Sequence, residues 1–138
     1  EALKYILPVN TKAIEVDETT SRFSGAAWFK AIQESTIVLA GVGGIGSFCA
    51  FVLSRMKPLQ MFIYDDDVVE RANMSGQLYS TSMVGKKKVD AIAQLVRDFS
   101  EYNGVIAIPN KFTENTAAGD IMICGLIIIG LELIMKKY

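Results

Sequence analysis

Apolar residues recur along this chain at two spacings, and the change from one to the other marks the elements. Thr36-Ile37-Val38-Leu39-Ala40 is a run rich in β-branched and apolar residues, which predicts a strand buried on both faces of a parallel sheet. It leads directly into glycines. From Gly44 to Met56 the apolar positions Ile45, Phe48, Cys49, Phe51, Val52 and Met56 fall at helical spacing, and Pro58 ends the pattern. Gln60 to Tyr64 predicts a second strand that runs into Asp65-Asp66-Asp67. After a loop from Val68 to Val84, Gly85 to Phe99 reads as a helix with Val89, Ile92, Ala93, Val96 and Phe99 on one face. Val105 to Ile108 and Ile121 to Cys124 read as a third and a fourth strand. Upstream, Glu1 to Pro8 is an extended lead-in, Asp17 to Thr20 a polar turn and Phe23 to Ile32 a short helix.

A strand, a tight turn, a helix and a second strand make a βαβ unit, whose right-handed crossover lays the helix over a parallel sheet. The fold class expected is therefore α/β: a doubly wound, mainly parallel Rossmann-like sheet with helices on both faces. The chain has 138 residues, enough for one domain. Residues 1–34 form a helical lead-in, 35–126 the core and 127–138 an atypical apolar tail. That tail is shorter than the roughly 20 residues that cross a bilayer, and it contains Glu132. No membrane span is expected.

Composition narrows the chemistry. With 51% hydrophobic residues and a formal net charge of -1, the chain is globular and has no general attraction for nucleic acid or anionic membrane. Cys49 and Cys124 lack the close spacing of a zinc or redox pair and read as buried thiols of a reduced, cytoplasmic compartment. The start of the chain does not read as a secretory signal. Histidine is absent, so any chemistry rests on carboxylates, lysine, arginine and backbone dipoles.

Gly41-Val42-Gly43-Gly44-Ile45-Gly46-Ser47 contains GxGxxG between a predicted strand and a predicted helix. Gly41 permits the tight turn, Gly43 the approach of a phosphate and Gly46 the packing of helix on strand. The N-terminus of the helix adds unpaired N–H groups and the positive end of its dipole. Asp65, nineteen positions after Gly46, stands where an acidic side chain accepts hydrogen bonds from ribose hydroxyls. The same geometry serves NAD, so these features alone leave a dehydrogenase and an ATP user equally placed.

The following segment separates the two. Asp65-Asp66-Asp67-Val68-Val69-Glu70-Arg71-Ala72-Asn73-Met74-Ser75-Gly76-Gln77, then Gly85-Lys86-Lys87-Lys88-Val89, resembles the ThiF/MoeB/ubiquitin-activating (E1-like) adenylating family over about residues 21–126. In that family a GxGGxGS loop is followed by D-x-D-x-V, N-L-x-R-Q and G-x-x-K-V. The resemblance implies an ATP site with magnesium, in which Gly41, Gly43, Gly44, Gly46 and Gln77 belong to the nucleotide-binding motifs. It implies that Asp65 holds the ribose, Asn73 contacts the phosphate region and Lys88 pairs with the phosphates. Arg22, in Ser21-Arg22-Phe23, resembles an arginine that reaches the nucleotide of the partner subunit in a homodimer. The acceptor implied is the C-terminal carboxylate of a ubiquitin-like or sulfur-carrier protein, activated as an acyl adenylate.

The chemistry agrees with that assignment, because charge building on phosphate oxygens has to be met by fixed cations and N–H dipoles. Lys86 and Lys87 read as solvent-facing, whereas a lysine at position 88 opposes the helix dipole unless an anion is there. Asp67 is a magnesium ligand or a cap of the following turn; both stay open. Gly76 stands where the family has arginine, and no aspartate follows Gly125-Leu126. The chain is therefore expected to be a truncated or frame-altered form. An NAD-dependent oxidoreductase and a catalytically silent nucleotide-binding or dimerisation module are the other two readings.

Overall fold

The computed structural model describes residues 17–113 and 119–124. Its core is a four-stranded, all-parallel sheet in the order β3-β2-β1-β4. The strands are β1 (Thr36–Ala40), β2 (Gln60–Tyr64), β3 (Val105–Ile108) and β4 (Ile121–Cys124). Three α-helices accompany them: α1 (Ala27–Gln33), α2 (Gly46–Ser54) and α3 (Lys88–Ser100). Register runs Thr36 to Gln60 and Ala40 to Tyr64 between β1 and β2, so both central strands end level with each other. The chain extends the sheet from β1 through β2 to β3 and then returns to the other side of β1. That reversal leaves a crevice at the carboxyl ends of β1 and β4, where open α/β sheets bind their ligands.

Alternation along each strand divides the core into two layers. Ile37, Leu39, Met61 and Ile63 pack with Ala50 of α2 and with Val89, Ile92 and Val96 of α3. Val38, Ala40, Tyr64 and Phe112 form the cluster on the opposite face. Burial on both faces is why β1 carries no polar position after Thr36. Each such Ile, Leu or Val contributes roughly 1.5–3 kcal/mol by leaving water. Among the described residues α2 and α3 cover the same face, and no helix is long and apolar enough to cross a membrane. Cys49 and Cys124 are half-buried rather than buried. Cys49 packs against the first core layer, beside the exposed Phe48.

All four strand ranges agree with the sequence pattern, while the helix ends move. Instead of one helix from Phe23 to Ile32, a 3-10 helix at Glu18–Phe23, capped by Asp17, precedes α1; Ser24 and Gly25 break the two apart. The expected polar turn is the first part of that 3-10 helix. α2 closes at Ser54, and Arg55, Met56 and Lys57 wind down by donating to the carbonyls of Val52, Leu53 and Ser54, with Lys57 at φ 50. α3 begins at Lys88 rather than Gly85, because Gly85 turns at φ 92 and Lys87 forms an antiparallel bridge with Val68. The expected loop from Val68 to Val84 holds two 3-10 turns, Arg71–Ser75 and Thr81–Met83. The lead-in Glu1 to Pro8, the tail 127–138 and the position after Leu126 lie outside the described residues.

Candidate functional site

The glycine turn leaves β1 at Gly41, whose φ of 89 only glycine adopts without strain. Its N–H donates to the carbonyl of Tyr64 at 2.8 Å, holding the turn against the end of β2. The next N–H, of Val42, donates to Oδ2 of Asp65 at 2.9 Å, and the N–H of Asp67 donates to Oδ1 at 2.9 Å. Asp65 thereby fixes both the glycine turn and the acidic turn. A carboxylate offers about four lone-pair positions, so it keeps acceptor capacity for a ligand.

From the other side Tyr79 donates its hydroxyl to the carbonyl of Val42. Burial, and then the carboxylates of Asp65 and Asp67, push the Tyr79 phenol far above its ordinary range, so it remains a donor. Ser47, fully buried in the first turn of α2, accepts the N–H of Leu78 at 3.0 Å. These bonds lay the 76–79 segment over the glycine turn. A Cβ on Gly44 would stand 3.5 Å from the carbonyl of Gly76, and one on Gly43 would stand 4.0 Å from Nε2 of Gln77. The amides of Gly43 and Gly44 donate to no protein group among the described residues. Oε1 of Gln77 is buried beside them without a hydrogen-bond partner.

Lys88 is the first residue of α3 and only 5% exposed, while Lys86 and Lys87 are solvent-facing as expected. Its Nζ lies 3.2 Å from Oδ2 of Asp67, whose side chain is 64% exposed. The bridge of Val68 with Lys87, and the bond from the Lys88 N–H to the Asp67 carbonyl at 3.0 Å, set this pairing. One carboxylate leaves a buried ammonium with donors to spare, since it carries three. Asp67 therefore receives Lys88 and does not cap the following turn. Asn73 acts locally: its Oδ1 accepts the N–H of Glu70 at 2.7 Å and closes the 3-10 turn. Its NH2 makes no hydrogen bond among the described residues.

Beyond Asp65 a cavity of about 240 Å³ is lined by Gly41, Tyr64, Asp65, Asp66, Asp67, Lys111 and Phe112. Tyr64 and Phe112 meet edge to face, their centroids 5.4 Å apart. Sequence reasoning missed Tyr64, Lys111 and Phe112. Tyr64 closes β2, and Lys111 and Phe112 follow the end of β3; that position at the carboxyl ends of the strands was the available signal. Carboxylate oxygens of Asp65, Asp66 and Asp67 lie within 4.8 Å of one another, the hard oxygen donors that a divalent cation takes. Lys88 and, at 3.9 Å, Lys111 already balance two of them. Gly46 is buried under the helix start, as its packing role requires. Arg22 is not brought to this site. It lies with Arg55 and Lys57, past the opposite end of α2.

A glycine turn at the switch point of a doubly wound parallel sheet, with an acidic strand end beside it and a helix N-terminus behind it, defines a nucleotide-binding fold of the Rossmann type. The chain belongs to the ThiF family, whose profile matches residues 17–134. It is similar to a tRNA threonylcarbamoyladenosine dehydratase of Bacillus subtilis, 34% identical over 93 residues that make up 67% of this chain and 37% of that protein. It is also similar to ubiquitin-like modifier-activating enzyme 5 of Arabidopsis thaliana, 33% identical over 52% of this chain and 17% of that protein. The chain thus spans well under half the length of these relatives. Among solved structures, the E. coli dehydratase TcdA in complex with AMP superposes with a TM-score of 0.62 at 25% identity, covering 70% of this chain and 39% of that one. E. coli MccB with MccA has a TM-score of 0.61 at 25% identity, covering 68% and 30%. The E1-like assignment and the Rossmann-like fold expected from the sequence both hold.

Proposed function

We propose that this chain is the ATP-binding part of an E1-like adenylyltransferase that activates a C-terminal carboxylate of a ubiquitin-like or sulfur-carrier protein. The observation that carries the reading is the run of contacts that joins the turn with its unbonded glycine amides, through Asp65 and Asp67, to the buried Lys88. A carboxylate oxygen of the acceptor attacks the α-phosphorus, the bond from that phosphorus to the β-bridging oxygen breaks, and pyrophosphate leaves with the electron pair. Lys88 and the Gly43 and Gly44 amides meet the phosphate charge, Asp65 accepts from the ribose, and Gln77 and the Asn73 NH2 bind polar atoms of the nucleotide. The cavity of Tyr64, Lys111 and Phe112 takes the base. Asp67 would hold magnesium brought with the phosphates, and the cation would supply charge neutralisation there. In a homodimer Arg22 reaches the partner's nucleotide. The AMP complex of E. coli TcdA, the MccB–MccA pair and the modifier-activating relative support the substrate classes.

A second reading, a nucleotide-binding module without turnover, is favoured by Gly76, whose side is open space. Calorimetric titration with magnesium ATP and NAD, followed by ATP–pyrophosphate exchange, separates the readings. ATP binding that weakens in Lys88→Ala, together with exchange, supports adenylation; ATP binding without exchange supports the silent module. Binding of NAD alone overturns both.

A further inference from the structure

The cavity of about 410 Å³ at the other end of the molecule has no part in that scheme beyond Arg22. It opens past the carboxyl end of α2, at the amino ends of the strands, with Arg22, Arg55, Lys57, Phe23, Phe29 and Met56 in its walls. Its volume falls in the range of small-molecule sites. Lys57 is already balanced, because its Nζ lies 2.6 Å from Oδ2 of Asp17. Neither arginine is paired with a carboxylate among the described residues. Arg55 is held by one bond to the carbonyl of Phe99 and by the ring of Phe51, 5.4 Å from its guanidinium carbon. Arg22 rests over Phe23 at 5.9 Å. Each fork is oriented and keeps most of its N–H donors, the geometry that binds phosphate or carboxylate. The remaining wall sets Phe23, Phe29 and Met56 beside the hydroxyls of Thr19, Thr20 and Ser100.

We propose that this cavity is a second ligand site, for an oxyanion carried on an apolar or aromatic body, with Arg55 and Arg22 on the oxyanion and Phe29 and Met56 against the body. Arg22 cannot hold this oxyanion and a partner's nucleotide together, so Arg55 is the anchor. The site is independent of the glycine turn, and it stands or falls separately from the adenylation reading.

The chain contains one tryptophan, Trp28, and its ring lies 5.4 Å from Phe23 and 5.5 Å from Phe29. Its emission therefore reports on the cavity. Titration with phenyl phosphate is expected to change that emission saturably, with inorganic phosphate and phenol each at least about tenfold weaker, since each supplies half of the contacts. Arg55→Gln is expected to weaken binding about tenfold and Arg55→Lys less, because lysine keeps the charge and loses the fork. Arg22→Gln, on an exposed turn, provides a second variant that leaves folding intact. Benzoate in place of phenyl phosphate distinguishes a carboxylate ligand from a phosphate ester. Lys88→Met should leave the titration unchanged, and saturating ATP should weaken it no more than Arg22→Gln does. Weakening by ATP beyond that of Arg22→Gln, equal binding of inorganic phosphate, or curves insensitive to both arginine variants would overturn the proposal.

Discussion

Replacing Lys88 with methionine separates a lysine kept for a ligand from one kept for the fold. The ammonium is buried, its side chain 6% exposed, and it pairs with Asp67, 3.2 Å away and 64% exposed. Removing the cation leaves Asp67 in water rather than stranded in the interior, and methionine fills nearly the same volume in a pocket that no longer has to solvate a charge. With one partner so exposed, the pair itself is worth at most about 1 kcal/mol. Unfolding stability in urea should therefore change by about 1 kcal/mol or less, in either direction. Nucleotide binding should respond more strongly. A hydrogen bond from a charged donor contributes about 1.5–3 kcal/mol, which is roughly tenfold to a hundredfold in affinity for magnesium ATP. Denaturant titration and calorimetry on the same preparation measure both quantities. Unchanged ATP affinity with a stability loss of about 3 kcal/mol would refute the reasoning and make Lys88 a structural ion-pair residue.

Three further outcomes follow from the geometry. Tyr79→Phe removes the donor from the buried Val42 carbonyl and should lower stability by about 1–2 kcal/mol; no loss in a urea titration would mean that water replaces the hydroxyl. Gly76→Arg should fold normally, since Gly76 has φ -139 and a Cβ there meets nothing within 4 Å. By restoring the cation of the family motif it should raise ATP–pyrophosphate exchange, and an unchanged rate would separate Gly76 from any loss of turnover. Asp17 is held at about 2, first by its bond with Lys57 and then by Thr19. A depressed carboxyl stabilises the fold above its unfolded value and loses that contribution as pH falls toward the folded one. The stability gap between the wild type and Asp17→Asn should therefore be less than about 1 kcal/mol at pH 7 and close between about pH 4 and 2. A gap that persists at pH 2 would assign it to another cause.

Local pattern determined much of this protein. The four strands, the glycine turn and Asp65 were legible because a buried strand, a turn and a strand end each impose composition on neighbouring residues. The family motifs carried the positions of Gln77 and Lys88, and with them the expectation of a phosphate site. Periodicity could not place the start of α3, since apolar spacing continues through a residue whether or not its backbone is helical; the bridge between Val68 and Lys87 decided that. Nor could it reveal that Asp65 grips Val42, that Tyr79 braces the same turn, or that Gln77 lies against Gly43 with an unbonded oxygen. These contacts join residues more than twenty positions apart, and no spacing rule connects them. The division of the arginines and lysines was also tertiary. Lys88 stands at the carboxyl ends of the strands and Arg22 beyond their amino ends, because Arg22 lies on the segment that leads into the start of β1 and Lys88 opens the helix reached by the loop that leaves the end of β2.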